Sequence, residues 1–479
     1  MDYSYRQLIG GEWRDAASGQ TWDVLDPATE QVIRTVPFGA GDDCREAIDA
    51  AERGFRGWAD RTPYERATVL KRAADVMRAR ADDLGRTTVL ESGKPFAQGR
   101  GEWMVSADLF EWFAEEGKRA YGRVVPSRMA TRRLSVLKQP IGVVGIITAW
   151  NFPAYNVARA GAAALAAGCT VVIRPSEYTP MTAMEMVNIL VEAGMPAGVV
   201  NLVNGEPDAM GQEMLRHPAC AKIHFTGSVR VGKHLMDGAS RTVTRLSLEL
   251  GGNAPVLVFP DVDVAQVAAS AVAAKFRNGG QVCVAPQRFL VAAGVAGEFV
   301  DRVSSGVQAL RVGSGLDHQT QVGPMINAKQ RDRVESLVAS ARSAGATVRV
   351  GGARPADRRA GYFYQPTVVD GVDPSMSVFA EEIFGPVLPV ASFEDVDEAI
   401  ALANRTRYGL AAYVWTNDLR TALRASERLE FGMIGVNEWT PQAVEAPFAG
   451  WKESGVGREA GLEGLEEYLE TKLVAIGGL

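Results

Sequence analysis

Short β-branched runs alternate with longer alanine-rich apolar stretches through the middle of the chain, and this alternation limits the fold more than any other feature. Residues 141–147 form a strand-like run, 154–167 an Ala-rich helical stretch, 169–174 a second strand and 181–193 a second helix. Residues 199–203, 222–225 and 242–248 repeat the strand pattern. Strands separated by helices need crossover connections, so the pattern predicts a doubly wound α/β domain with a parallel sheet ending near Glu249. After Gly251 the alternation restarts, with helices expected at 262–276, 297–310 and 395–403 and strands at 288–292, 411–415 and 433–436. A second α/β domain follows. Upstream, residues 47–58 and 64–91 read as amphipathic helices, with Pro63 opening the second. A chain of 479 residues, 47% of them hydrophobic, is long enough to bury two cores.

Charge and cysteine usage narrow the function. The 51 basic and 57 acidic residues give a net charge of −6 with no long run of one sign, which argues against a nucleic-acid surface. Cys44, Cys169, Cys220 and Cys283 lie far apart with no CxxC pair, so no metal site is expected and a reducing compartment is. Residues 1–5 lack an apolar core and a basic start, so no secretory signal is expected. The most apolar stretch, residues 160–173, is shorter than the roughly 18 residues a membrane span needs. A cytoplasmic protein with no membrane or nucleic-acid partner is the expectation.

The chemistry concentrates in two segments. Leu248-Glu249-Leu250-Gly251-Gly252-Asn253-Ala254-Pro255 sets a carboxylate 34 residues ahead of the cysteine that closes Phe276-Arg277-Asn278-Gly279-Gly280-Gln281-Val282-Cys283. A thiolate attacks a carbonyl carbon, and a nearby carboxylate activates the water that later releases the acyl group. The polar, glycine-bearing approach to Cys283 is unlike a core strand, whereas the other three cysteines read as small buried residues. Glu249 in an apolar run is costly unless it has a role. In Trp150-Asn151-Phe152-Pro153 the Asn151 amide is placed either to cap a helix or to donate to an oxyanion.

A G-x-G-x-x-G fingerprint is absent. Phe225-Thr226-Gly227-Ser228-Val229-Arg230-Val231-Gly232 instead sits at a strand-to-helix junction, where Gly227 and Gly232 permit close approach and a helix N-terminus offers N–H donors to a pyrophosphate. Arg174-Pro175-Ser176-Glu177 follows the 169–174 strand, where Glu177 is placed to accept from a ribose diol and to repel a 2′-phosphate.

Together these segments resemble the aldehyde dehydrogenase superfamily over nearly the whole chain, including Glu91-Ser92-Gly93-Lys94-Pro95 early and Pro447-Phe448-Ala449-Gly450-Trp451-Lys452-Glu453-Ser454-Gly455 late. The resemblance implies Cys283 as nucleophile, Glu249 as base for thioester hydrolysis and Asn151 in an oxyanion hole. It implies NAD, with NADP left open, held by Trp150, Asn151, Arg174, Ser176, Glu177, Gly227, Ser228, Gly232, Leu250, Glu382, Phe384 and Phe448. Arg174 replaces the family's usual lysine, and Ala449 a usual glycine. An NAD-binding domain is expected at 1–118 and 139–249, a catalytic domain at 250–447, and oligomerising segments at 119–138 and 448–479, in a homodimer or homotetramer. The closest subgroup resemblance is to succinate-semialdehyde dehydrogenases, which implies Arg159 and Arg277 as holders of a substrate carboxylate. Gln442 stands near that subgroup's serine, and Ala285 replaces its second cysteine. An aldehyde without a carboxylate, a CoA-acylating reaction, a cysteine hydrolase and a catalytically silent homologue are the alternatives. None of the four histidines, His217, His224, His234 and His318, sits in a recognisable catalytic context, which weighs against the hydrolase.

Overall fold

The computed structural model describes residues 5–478; the signal-free reading of the first residues therefore falls largely outside it. Two sheets dominate. The first has eight strands, of which five run parallel in the spatial order Val200–Leu202, Thr170–Arg174, Val143–Ile147, Cys220–Thr226, Arg245–Glu249. The chain starts at the central Val143–Ile147 strand, winds one way, then returns to the other side of it. The winding therefore reverses between Val143–Ile147 and Cys220–Thr226, and the carboxyl ends of those two strands open a crevice there. The second sheet, of seven strands, repeats the device, with Ala254–Val258 paired to Pro286–Ala292 on one side and Ala411–Trp415 on the other. The two doubly wound α/β layers expected from the alternation are both present.

Local chemistry explains most boundaries. Thr62 caps the Pro63–Ala79 helix by accepting from Glu65 N while Glu65 reaches back, a capping box with proline at the first position. The single helix expected at 64–91 is two, Pro63–Ala79 and Ala81–Ser92, broken at Arg80 (φ −109°, ψ 14°), whose guanidinium turns to Glu192 and Glu185 on a neighbouring helix. The strand expected at 242–248 begins only at Arg245, because Val243 takes φ 57° in an exposed turn. The buried Ala254–Val258 strand was not anticipated: five apolar residues after Gly-Gly-Asn carry no alternation. The helix Phe96–Glu116 was missed as well, its glycines and glutamates masking the period.

The arginine-rich stretch after residue 119 folds as Arg123–Val125 and Arg132–Pro140, and the latter pairs antiparallel with the tail strand Leu469–Gly477. This three-stranded sheet stands apart from the other two. The last segment also bridges them: Gly455–Val456 adds to the first sheet beside Leu248 and Glu249, while Trp451–Lys452 pairs with Tyr408–Gly409. No helix among the described residues is long and apolar enough to cross a membrane.

Candidate active site

Cys283 follows a tight 3-10 turn, Arg277–Gly280, in which Asn278, Gly279 and Gly280 take φ of 49°, 60° and 72°. Three left-handed residues in a row turn the chain from helix Val264–Phe276 back into strand Pro286–Ala292. Gly280 is obligatory for space, since a Cβ there would meet Gly385 O at 2.2 Å. The turn is pinned by Asn278 Nδ2 donating to Asn151 O (3.0 Å) and by Gln281 Oε1 accepting from Ile326 N (2.9 Å). Cys283 is partly buried, and burial pushes its thiol up to about 11, with Arg159 pulling the other way. The other three cysteines are buried and free.

Asn151, at the carboxyl end of Val143–Ile147, is buried with its amide Nδ2 donating to Gln281 O at 3.2 Å. Its own carbonyl accepts from Lys94 Nζ at 2.8 Å. Lys94 is paired with Glu102, both fully buried, and Glu102 Oε1 also accepts from Ala154 N (2.8 Å) and Tyr155 N (3.2 Å). A carboxylate from a neighbouring helix thus caps the helix Pro153–Ala167, where orphan N–H groups and the dipole favour it. This clamp was not foreseen: Lys94 lay in a quoted motif without a role, and Glu102 carried no local signal.

Glu249 ends its strand buried at 3% exposure, and its Oε2 has no hydrogen-bond partner among the described residues. Burial first, then the charge of Glu459, raises its carboxyl well above the usual range, while Arg159 opposes. Glu459 is equally buried and lies 2.6 Å from Arg159 and 2.8 Å from His224 Nε2. Burial works against its ionisation, but Arg159 and His224 hold it below the ordinary carboxylate range. Glu459 and His224 were both missed: His224 directly precedes the Phe225–Gly232 segment and Glu459 shortly follows the Pro447–Gly455 motif, but neither carries a signal of its own.

Two cavities meet at Cys283. One, of about 400 Å³, opens at the crevice between the sheets and is lined by Trp150, Asn151, Gly227, Ser228, Leu250 and Glu249 on one wall. Glu382, Phe384 and Phe448 line it as well. Ser228 caps the helix Val229–Ala239, so free N–H groups face the cavity rim. Glu382 accepts from Gly252 N at 2.9 Å, and burial pushes its carboxyl up to about 7. Arg333 holds the same loop through the carbonyls of Glu382 and Ile383, a support the sequence did not suggest. Phe384, at φ 52°, packs edge-on to Trp150 with centroids 5.4 Å apart. Arg174, Ser176, Glu177 and Gly232 lie outside this lining. Gly232 lets its helix pack on Leu250, where a Cβ would meet the side chain at 2.7 Å. Arg174 is buried and donates to Gly205 O and to Glu177 Oε2, both at 2.8 Å, so it fixes Glu177 just past the carboxyl end of the Thr170–Arg174 strand. The glycine cradle at a helix start, the switch-point crevice and the acidic residues at either end together fit a nicotinamide dinucleotide.

The second cavity, of about 340 Å³, is lined by Val105, Phe152, Tyr155, Val284 and Val444, with Arg159, Arg277, Gln442 and Glu102 among its polar members beside Cys283. Arg277 has no carboxylate within ion-pair distance among the described residues, and its guanidinium lies 5.5 Å from the Phe152 ring. Arg159 differs. It is matched by Glu459 and sandwiched between Tyr155 and Phe448 at 4.8 and 4.3 Å. Gln442 Oε1 is buried and unpartnered among the described residues.

A thiol between a dinucleotide crevice and an apolar tunnel, with a carboxyl group within the same walls, defines an oxidoreductase that works through a covalent thioester. Residues 13–474 match the aldehyde dehydrogenase family model, and the chain belongs to that family. It is 44% identical to a succinate-semialdehyde dehydrogenase [NADP(+)] of Escherichia coli strain K12, over 99% of this chain and 98% of that protein. It is 41% identical to a glutarate-semialdehyde dehydrogenase of Pseudomonas aeruginosa, over 100% of this chain and 98% of that one. A betaine aldehyde dehydrogenase from Staphylococcus aureus, solved in complex with NAD+, superposes with a TM-score of 0.97 at 36% identity, covering 99% of this chain and 95% of that one. The protein is an NAD(P)-dependent aldehyde dehydrogenase.

Proposed function

We propose that the chain oxidises a carboxylate-bearing semialdehyde of the succinate semialdehyde type, and that it releases the acid by hydrolysis. The Arg277 guanidinium, without a carboxylate at ion-pair distance among the described residues and beside the apolar walls of Phe152, Val284 and Val444, carries this reading: a carboxylate at the far end of a short aldehyde would complete its charge. Similarity to relatives named for succinate and glutarate semialdehydes supports it and leaves chain length to Gln442 and its loop. The apolar, aromatic walls of Phe152 and Tyr155 favour an uncharged or aromatic aldehyde as the second reading.

In this mechanism the Cys283 thiolate attacks the aldehyde carbon, and the new oxyanion takes hydrogen bonds from Asn151 Nδ2 and the Cys283 N–H. Bound NAD(P) supplies the hydride acceptor, which leaves a thioester on Cys283. Glu249 then takes a proton from water as the water oxygen bonds to the thioester carbon. Collapse breaks the C–S bond, frees the carboxylic acid and returns the thiolate. Residues 1–118 and 139–249 form the coenzyme domain in this reading and 250–447 the catalytic one, with 119–138 and 448–479 joining subunits of a homodimer or homotetramer. A cytoplasmic location accords with four free cysteines. Glu177, held by Arg174, disfavours a 2′-phosphate, so NAD is the preferred coenzyme.

The deciding experiment is stopped-flow NADH absorbance. Cys283→Ala should form no NADH yet still bind NAD, and Glu249→Gln should give one burst and then stall. Steady turnover in either variant overturns the assignment of that residue. A higher kcat/KM with NADP than with NAD would overturn the coenzyme preference.

A further inference from the structure

Cys283 stands at a corner of a tight turn, closed by Ala285 N donating to Val282 O at 3.0 Å. Two groups grip that turn. The backbone of Gly252 lies so close that a Cβ there would meet Cys283 O at 2.5 Å. From the strand Ala411–Trp415, the Tyr413 hydroxyl donates to Val284 O at 2.5 Å, one residue past the thiol. Tyr413 is fully buried, and its ring also carries Trp439, with centroids 5.3 Å apart. Trp439 leads into the loop whose Thr440, Gln442, Ala443 and Val444 line the aldehyde tunnel. We propose that Tyr413 is a positioning residue for the oxidation: its hydroxyl holds the turn that presents the Cys283 thiol, and its ring seats the loop that bounds the tunnel.

The register of the second sheet puts the ring there. Tyr413 pairs with Val256 on one side and with Gly435 on the other. Gly435 supplies the room: a Cβ at that position would meet the Tyr413 ring at 3.2 Å and Glu438 O, where the loop turns, at 2.3 Å. Asn437 fixes the departure of the loop, its amide accepting from Thr416 N (3.1 Å) and donating to Thr416 O (2.9 Å). Trp439 then packs against Trp415 at 4.8 Å as well as against Tyr413. Burial pushes the Tyr413 phenol well above its usual range, against the pull of Arg277, so the group keeps its proton and remains a donor. Val284 is itself buried, and a buried carbonyl that loses its donor costs free energy and frees the turn to shift. A reacting atom displaced by about 1 Å loses rate steeply. The two ends of Tyr413 thus serve different steps. The hydroxyl serves the attack of the thiolate, and the ring serves the binding of the aldehyde.

The inference rests on Cys283 as the nucleophile, and the experiment separates the two. Single-turnover NADH formation, with NAD-saturated enzyme in excess over aldehyde, reports the steps up to the thioester alone. It is followed by stopped flow against enzyme concentration, with succinate semialdehyde and with butanal, for wild type, Cys283→Ala, Tyr413→Phe, Trp439→Ala and Trp439→Phe. Phenylalanine at 413 keeps the ring under Trp439 and removes only the donor. Tyr413→Phe should lower the limiting rate about tenfold for both aldehydes and leave the half-saturating concentration unmoved, the scale of one lost hydrogen bond. Trp439→Ala should do the reverse: the half-saturating concentration rises roughly three- to tenfold while the limiting rate holds, and Trp439→Phe restores most of it. A limiting rate for Tyr413→Phe equal to that of wild type overturns the proposal, and so does a change confined to half-saturation, which marks lost folded sites. NADH formation by Cys283→Ala overturns the nucleophile itself. Should Tyr413→Phe fail to fold, Trp439→Ala decides alone, since Tyr413 is intact there: a half-saturating concentration unmoved from wild type overturns the proposal.

Discussion

Two arginines line the aldehyde tunnel, and their neighbours set them apart. Arg277 carries a free charge, so Arg277→Ala should lower kcat/KM for succinate semialdehyde by about 1.5–3 kcal/mol, or roughly one to two decades, while sparing an uncharged aldehyde of equal length. Arg159→Ala should instead depress all aldehydes, because it strips Glu459 of its cation and leaves a buried negative charge beside Glu249. A panel of charged and neutral aldehydes read by NADH absorbance checks both; equal losses on every aldehyde for Arg277→Ala would remove the carboxylate reading. Cys283 yields a pH prediction. Its thiol lies up at about 11 through burial, and only the thiolate reacts, so below that value each unit of pH raises the reactive fraction about tenfold. Alkylation of coenzyme-free enzyme by iodoacetamide should therefore steepen steadily from neutral to alkaline pH. A plateau near neutrality would mean that Arg159 stabilises the thiolate more than burial penalises it.

The elements that set the site are tied by buried charge across sequence distance. Glu102, on Phe96–Glu116, reaches the first two N–H groups of the helix Pro153–Ala167 that it can satisfy, and through Lys94 it fixes the carbonyl of Asn151. Glu102→Ala leaves Lys94 buried without its partner, a loss of about 3–5 kcal/mol by the usual cost of breaking such a pair. Urea denaturation should show that loss, and kcat should fall with it as Asn151 loses its anchor. Unchanged stability would mean that Lys94 finds water or another acceptor. The sequence announced the Pro153–Ala167 helix through its alanine run but not this cap, which comes from another helix. In the same way, glycines announced the turn before Cys283, while the three successive left-handed residues follow from what Gly385 and Asn151 place around it.

At the scale of the whole molecule, the three-stranded sheet leaves Val124 and Ile476 exposed on one face at 81% and 51% and Leu473 exposed on the other at 60%, apolar side chains with no cover in a single chain. If that sheet joins subunits, as proposed, a Leu473→Asp, Ile476→Asp double variant should shift light-scattering mass toward the monomer; an unchanged mass would place the interface elsewhere. Read alone, the sequence determined the alternation that makes two doubly wound sheets, and it offered the thiol, the carboxylate, the amide and the glycine that the fold brings to one cavity. These are local signals: periodicity, turn chemistry and residue type within a short window. Only the tertiary structure decided which charges are free and which are matched. Arg159 and Arg277 look alike in sequence, yet one is neutralised by Glu459, some three hundred residues away along the chain. His224, unremarkable in its strand, is buried against that same carboxylate. Burial of charge depends on what packs around a side chain from every direction, and in a crossover fold those neighbours come from distant segments.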